Sequence, residues 1–139
     1  MAFDITKKSA AATGTIELKD GSGAPLLDDA GAPLTVTVHS PASKAWQQAN
    51  AEKNRRQAER MRKAGGRAEA LLDGAREDQI EFLTRITIGF NGLEYPGAGK
   101  TPGEQARAIY DDDALGFIRD HVFAEANDWA AFTSGSAKS

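Results

Sequence analysis

Gly99-Lys100-Thr101 is the one place in this chain where residue types and spacing suggest phosphate chemistry. A phosphate-binding loop reads G-x-x-x-x-G-K-[ST], because glycine N–H groups wrap the phosphates while Lys and Ser/Thr reach phosphate and magnesium. The position of the first glycine holds Glu94, and Pro102 follows Thr101 directly. The loop therefore lacks the backbone that would do the cradling. Thr101-Pro102-Gly103-Glu104 instead spells a capping box, with Thr101 at the cap, Pro102 at the first helical position and Glu104 three residues on. Asp111-Asp112-Asp113 offers neighbouring carboxylates of a kind that hold metal. Capping of the next helix by Asp112 or Asp113 is the expectation, since a helix N-terminus favours negative charge. Asp20, Asp28 and Asp29 lack the alternate oxygen ligands and closing Glu of a calcium-binding EF-hand. His39 and His121 stand apart, with no second ligand at metal spacing. No nucleophile, acid or base is set in a recognisable catalytic pattern, so a binding or assembly role, not an enzyme, and no cofactor or metal are expected.

The 139 residues carry a net charge of −3, with 40% apolar and 27% charged side chains. That composition is ordinary for a globular domain and gives no overall attraction to nucleic acid. Cysteine is absent, which excludes disulfides and thiolate metal sites. No apolar run reaches the roughly 18 residues of a membrane span, and the first residues lack an apolar signal core. A soluble intracellular protein without processing is the expectation.

The elements that must position these residues fall into an α+β order: a small N-terminal β-hairpin or sheet, then a mainly helical domain. Residues 1–13 are polar and small and read as a flexible arm; 14–132 form one domain. Within 14–39, Ile16 and Leu18 alternate with polar residues, as do Leu34, Val36 and Val38, which predicts two half-buried strands. Gly-Ala-Pro-Leu recurs between them at 23–26 and 31–34, two turns around a short extended piece. Ser40 is the expected cap of a polar basic helix over 40–64, with Pro41 at its start and Gly65-Gly66 as its stop. Trp46, Ala49 and Met61 are its thin apolar anchors. Over 40–67 there are eight basic residues against Glu52 and Glu59, a local balance of +6. Such a helix suits an exposed arm, an oligomer contact or a nucleic-acid contact. The part from 67 to 132 is read as helical, with Leu71, Leu72, Ile80, Leu83, Ile86 and Phe90 at helical spacing. Gly89, Asn91 and Gly92 weaken that helix and allow a short extended piece. A last helix over about 113–132 carries Leu115, Ile118, Val122, Ala126 and Trp129. Residues 133–139 read as a disordered tail.

Three stretches, in this order, resemble the tail assembly chaperones of long-tailed bacteriophages and prophages. They are "GSGAPLLDDAGAPLTVTVHSPASKAWQQANAEKNRR", "FLTRITIGFNGLEYPG" and "TPGEQARAIYDDDALGFIRDHVFAEANDWAAF". The first matches a turn-rich strand pair followed by a Ser-containing turn and an Arg-rich helix. The second matches a helix ending near an aromatic and an Asn-Gly turn; the third matches a Thr-Pro helix start with a late Asn or Asp before a closing Phe. Trp129 and Gly116 depart from the pattern. Together the stretches cover about residues 14–132.

The resemblance implies a non-enzymatic protein that coats the long, helical, aggregation-prone tape measure protein before tail-tube subunits polymerise around it. It implies the host bacterial cytoplasm as its place, absence from the mature virion, and self-association along the partner. A structural tail-completion or connector protein is the alternative, and a nucleic-acid-binding accessory protein acting through the basic helix is a third reading. Phe117, Phe123, Trp129 and Phe132, with Trp46, are the candidate partner-binding residues. More aromatic bulk sits on the last helix than one apolar stripe can bury, and core packing against a second helix competes for Phe117 and Phe123. Ser40, Thr101 and Glu104 are the candidate helix caps.

Overall fold

A computed structural model describes residues 2–65 and 68–133. The architecture is α+β: a three-stranded antiparallel sheet and four α-helices. Strands β1 (Thr13–Glu17), β2 (Thr35–His39) and β3 (Thr87–Asn91) lie in the order β1-β2-β3. Alternation sets which face is covered. Ile16, Val36 and Phe90 are paired across all three strands, and all are buried. On the opposite side the amide of Asn91 donates to the hydroxyls of Thr35 and Thr37, each at 3.1 Å.

The short extended piece that Gly89, Asn91 and Gly92 allow within the helical part of 67–132 is a third strand of the sheet. Helix α2 (Ala68–Ile86) stops at Ile86, and the chain turns straight into β3. Val38 pairs with Thr87 while Thr37 pairs with Gly89, so Ile88 has no opposite residue. This bulge takes Ile88 out of the alternation and leaves it 43% exposed.

The repeated turns between β1 and β2 form a closed unit. Asp20 and Asp28 play identical parts: each Oδ1 accepts from the backbone N–H two and four residues on, at 2.8–3.0 Å. Gly23 and Gly31 supply the positive φ angles, 91° and 86°, that each turn requires. Leu18, Leu26 and Leu34 stand eight residues apart and bond in a ring. The N–H of Leu18 donates to Leu34, that of Leu34 to Leu26, and that of Leu26 to Leu18, all at 2.9 Å. The carboxylates of the turns serve the backbone.

Helix α1 (Lys44–Ala64) is capped by Ser43, whose hydroxyl accepts from the N–H of Trp46. Ser40 is not its cap. It is fully buried, donates to the carbonyl of Ala11 and accepts from the N–H of Ala42. Pro41 fixes the turn between these two serines, so the helix starts three residues later than expected. Gly65 ends it in the left-handed conformation. Ala49 is buried, whereas Met61 is 66% exposed and anchors nothing.

Helix α3 (Pro102–Asp111) starts at the capping box, as its sequence predicts. The expected last helix is in three pieces: a 3-10 turn at Asp113–Leu115, α4 (Gly116–Ala126), and a 3-10 turn at Trp129–Phe132. Asp112 and Asp128 cap the two turns. The core lies between the sheet and the helices, with Leu18, Val36, Ile80, Phe82, Leu83, Ile86, Tyr110 and Val122 at its centre. The arm of residues 1–13 is tied at its far end, where the N–H of Ala11 donates to Phe132 and Ala10 packs on the core. Residues 134–139 of the expected tail lie outside the described residues, and Thr133 is described.

Candidate interaction surface

Phe82, on α2, is buried and organises the aromatic surface. Trp46 of α1 meets it edge-on at 5.5 Å between ring centroids, and Phe123 of α4 does the same at 5.9 Å. Edge-to-face geometry sets the positive rim of one ring against the negative face of another. The ammonium of Lys53 stands 5.6 Å from the Phe82 centroid and 5.7 Å from that of Phe123, which adds a cation–π contact to each. The indole N–H of Trp46 donates to the carbonyl of Ala126 at 3.0 Å. That bond joins the start of α1 to the end of α4 and satisfies the only polar group of the indole.

Beyond Ala126 the chain leaves the helix, and Asp128 caps the turn that carries Trp129. Trp129 is 53% exposed. Of the five predicted partner residues, Trp46 and Phe123 are thus half-buried and joined through Phe82, and Trp129 presents a free indole. Phe117 is half-buried against the core. Phe132 is a correction: it is 2% exposed and belongs to the core. Its ring lies over Gly14 of β1, where an added Cβ would come within 2.6 Å of it. Phe82 itself escaped the sequence reading, since it falls off the 3/4 spacing of Ile80, Leu83 and Ile86. The signal was three apolar residues within four positions.

The basic helix turns much of its charge on its own acids. Arg55 pairs with Glu52 and with Glu59 at 2.9 Å, and Arg56 with Glu52 at 3.2 Å. Arg62 and Lys63 lie 3.8 Å from Glu59. The hydrogen bonds from Arg55 and then Arg56 hold the Glu52 carboxyl down at about 2. Arg60 reaches across to α2 and bonds Asp78 at 2.9 Å. Asp78 was not singled out from the sequence, because a charged run precedes it; its side chain is nonetheless fully buried. Gly74 makes this crossing possible, since a Cβ there would collide with the Arg60 side chain.

The remaining chemical candidates are used up by structure. At α3, the Thr101 hydroxyl accepts from the N–H of Glu104, and the Glu104 carboxylate accepts from the N–H of Thr101, both at 3.1 Å. The carboxylate lies where a Cβ on Gly99 would be, 2.2 Å away, so the chain's own anion fills the helix N-terminus. Those bonds from Thr101 lower the Glu104 pKa. In the acidic trio, Asp112 accepts from the N–H of Ala114 and from the Tyr95 hydroxyl at 2.8 Å. Asp113 pairs with Arg76 at 2.8 Å and with Arg119 at 3.7 Å, and Asp111 with Arg76 at 3.3 Å. His121 hydrogen-bonds through Nε2 to the carbonyl of Glu17 at 3.0 Å, so it links α4 to β1. Among the described residues no group of three or more His, Asp or Glu could hold a metal ion. Among them, too, no helix is long and apolar enough to cross a membrane. No family model matches the chain, and neither a curated protein nor a solved structure does.

Proposed function

We propose that this chain is a tail assembly chaperone of a long-tailed bacteriophage or prophage, acting by binding and not by catalysis. It binds the tape measure protein in the host bacterial cytoplasm, keeps it soluble during tail morphogenesis, hands it to tail-tube subunits, and leaves before the virion matures. The observation that supports this most is the aromatic cluster of Trp46, Phe82 and Phe123 with Lys53 over two of its rings, together with the exposed indole of Trp129. Rigid aromatics beside a cation suit the apolar stripe and acidic flank of an amphipathic helix. Many weak contacts of this kind along one long helix add up through multivalency. The charge of α1 argues against the nucleic-acid reading, since Glu52, Glu59 and Asp78 already engage most of its arginines.

The test is co-expression with the tape measure protein of the same phage. A soluble complex on gel filtration is expected, and Trp129→Ser should remove the tape measure protein from it while leaving the melting temperature of the isolated chain nearly unchanged. A tape measure protein equally soluble without this chain would overturn the function. Full retention by Trp129→Ser and by Phe123→Ser would overturn the surface.

A further inference from the structure

Strand β1 pairs with β2 alone, and the hydrogen bonds around it show which of its backbone groups face outward. The N–H of Leu18 donates to Leu34, and the carbonyl of Ala12 accepts from Ser40, so the even-numbered residues are turned toward β2. The odd-numbered residues are turned away. The N–H of Ala11 donates to Phe132, and the carbonyl of Glu17 accepts from His121 Nε2. Between those two anchors the same alternation leaves the N–H and C=O groups of Thr13 and Thr15 and the N–H of Glu17 without a partner among the described residues. Phe132 and Ala131 sit against Gly14 at the start of this edge, and the stretch from Thr15 onward borders a pocket.

That pocket holds about 140 Å³ and is lined by Thr15, Glu17, Lys19, His121, Glu125 and Ala131. Glu17, Glu125 and Lys19 have no ion-pair partner among the described residues, so two carboxylates stand against one ammonium. The backbone pattern names the kind of occupant. Unpaired N–H and C=O groups at every second residue are a template for an extended chain, whose own groups recur at the same interval. A helix has none to offer, because its backbone groups bond one another. Charged side chains at an edge discourage indiscriminate pairing, so a strand accepted here must answer the acidic balance. The opposite edge is not equivalent. Strand β3 is bulged at Ile88, and α3 packs against it, with Pro102 lying 3.7 Å from where a Cβ on Gly89 would stand.

We propose that β1 accepts an extended segment of a partner protein as a fourth, antiparallel strand, with a Lys or Arg of that segment beside Glu125. One residue of the segment lies opposite Thr15 and exchanges both backbone bonds with it. Its two sequence neighbours then turn to the face of Ile16, on which the helices pack and where Glu125 of α4 lines the pocket. The occupant is a strand, whereas the tape measure reading asks for a helix on the aromatic cluster, so the two stand or fall separately.

The probe is the peptide Lys-Thr-Lys-Thr-Lys, acetylated and amidated, titrated into the isotope-labelled chain and followed by nuclear magnetic resonance. The Thr15 and Glu17 amides should shift and become protected from hydrogen exchange, while that of Ile16, turned toward β2, should exchange as before. Methylating the two threonine nitrogens of the peptide keeps every charge and removes its donors to Thr15, and should abolish binding. Thr15→Pro should do the same with the ladder intact, because this N–H faces away from β2. Glu125→Gln should weaken binding by about threefold, the worth of one exposed ion pair, and Glu-Thr-Glu-Thr-Glu should not bind. Thr15 and Glu17 amides that stay unmoved at millimolar peptide would overturn the proposal. Binding that survives both N-methylation and Thr15→Pro would overturn it too, as attraction of charge alone. A chain that doubles in mass without peptide, and is monomeric as Thr15→Pro, would give the edge to a second copy and overturn the choice of partner.

Discussion

The two ends of the α1–α2 hairpin are built from the same two helices and meet opposite fates. At the base, Phe82 is buried and Trp46 half-buried; at the tip, Met61 and Leu72 lie open. Residue type does not account for this, since Leu and Met are as apolar as any core residue. The difference is a third layer. Around Phe82, α4 contributes Phe123, and Ala126 receives the Trp46 indole; at the tip, a pocket of about 210 Å³ is lined, among the described residues, by Gln57, Arg60 and Met61 of α1 and Ala75 and Asp78 of α2. Two helices bury one stripe between them and leave the rest exposed, and only a further element closes the remaining faces.

Phe82→Ala should show the contrast at its largest. It removes the ring that Trp46 and Phe123 both pack against, and denaturant unfolding should register a loss of about 3–5 kcal/mol. Leu72→Ala at the tip should change stability by less than about 0.5 kcal/mol. Similar losses at the two sites would mean that the tip is covered in solution by something other than its own chain.

Charge sharpens the comparison next. Arg60→Ala strips the buried Asp78 of the one side-chain partner it has among the described residues and should cost about 3 kcal/mol. Arg55→Ala breaks an exposed, solvent-screened pair and should leave the denaturant midpoint close to that of the parent. Equal costs would show that water reaches Asp78.

The smallest effect belongs to acid. Folding lowers the pKa values of Glu52 through Arg55, of Asp113 through Arg76, and of Glu104 through its bonds to Thr101. Lowered carboxyl pKa values contribute stability that is present above the unfolded value of about 4 and is lost as pH falls toward the folded values. The denaturant midpoint should therefore decline below about pH 4. Arg76→Gln should flatten part of that decline by releasing Asp113, and an unchanged slope would show the pair to be without energetic consequence.

How much of this was legible in the sequence depended on whether a residue's role was local. The capping box at Thr101 and Glu104, the alternation through Ile16, Val36 and Val38, and the stop at Gly65 are written within a few positions, and each is where the sequence puts it. Ser40 misled because Pro41 suits a helix start and a turn equally well; its burial depends on Ala11, 29 residues away. The third strand was legible only as an allowed extended piece, because Ile86 and Phe90 satisfy helical spacing as well as they satisfy a strand after a break, and its pairing partner β2 lies some 50 residues away in sequence. Asp78 and Phe82 were missed because what makes them matter lies on α1 and α4. Trp129 was marked for its aromatic bulk, but that it, and not Phe132, stays exposed follows from the helix ending at Ala126 and from the space above Gly14.

The ring of Leu18, Leu26 and Leu34 has a consequence for how this chain can change length. Each eight-residue unit from one leucine to the next carries its own aspartate-anchored turn and offers one donor and one acceptor at each join. Removing residues 26–33 as a whole would bring Leu18 and Leu34 together as a reciprocal pair, the ordinary hydrogen-bonded rung of a hairpin. Removing three or five residues would leave a leucine donor or acceptor without a mate and would displace a turn glycine. Insertions and deletions between β1 and β2 should therefore be tolerated in steps of eight, and related chains with shorter or longer loops here should differ by whole units while the sheet register stays fixed.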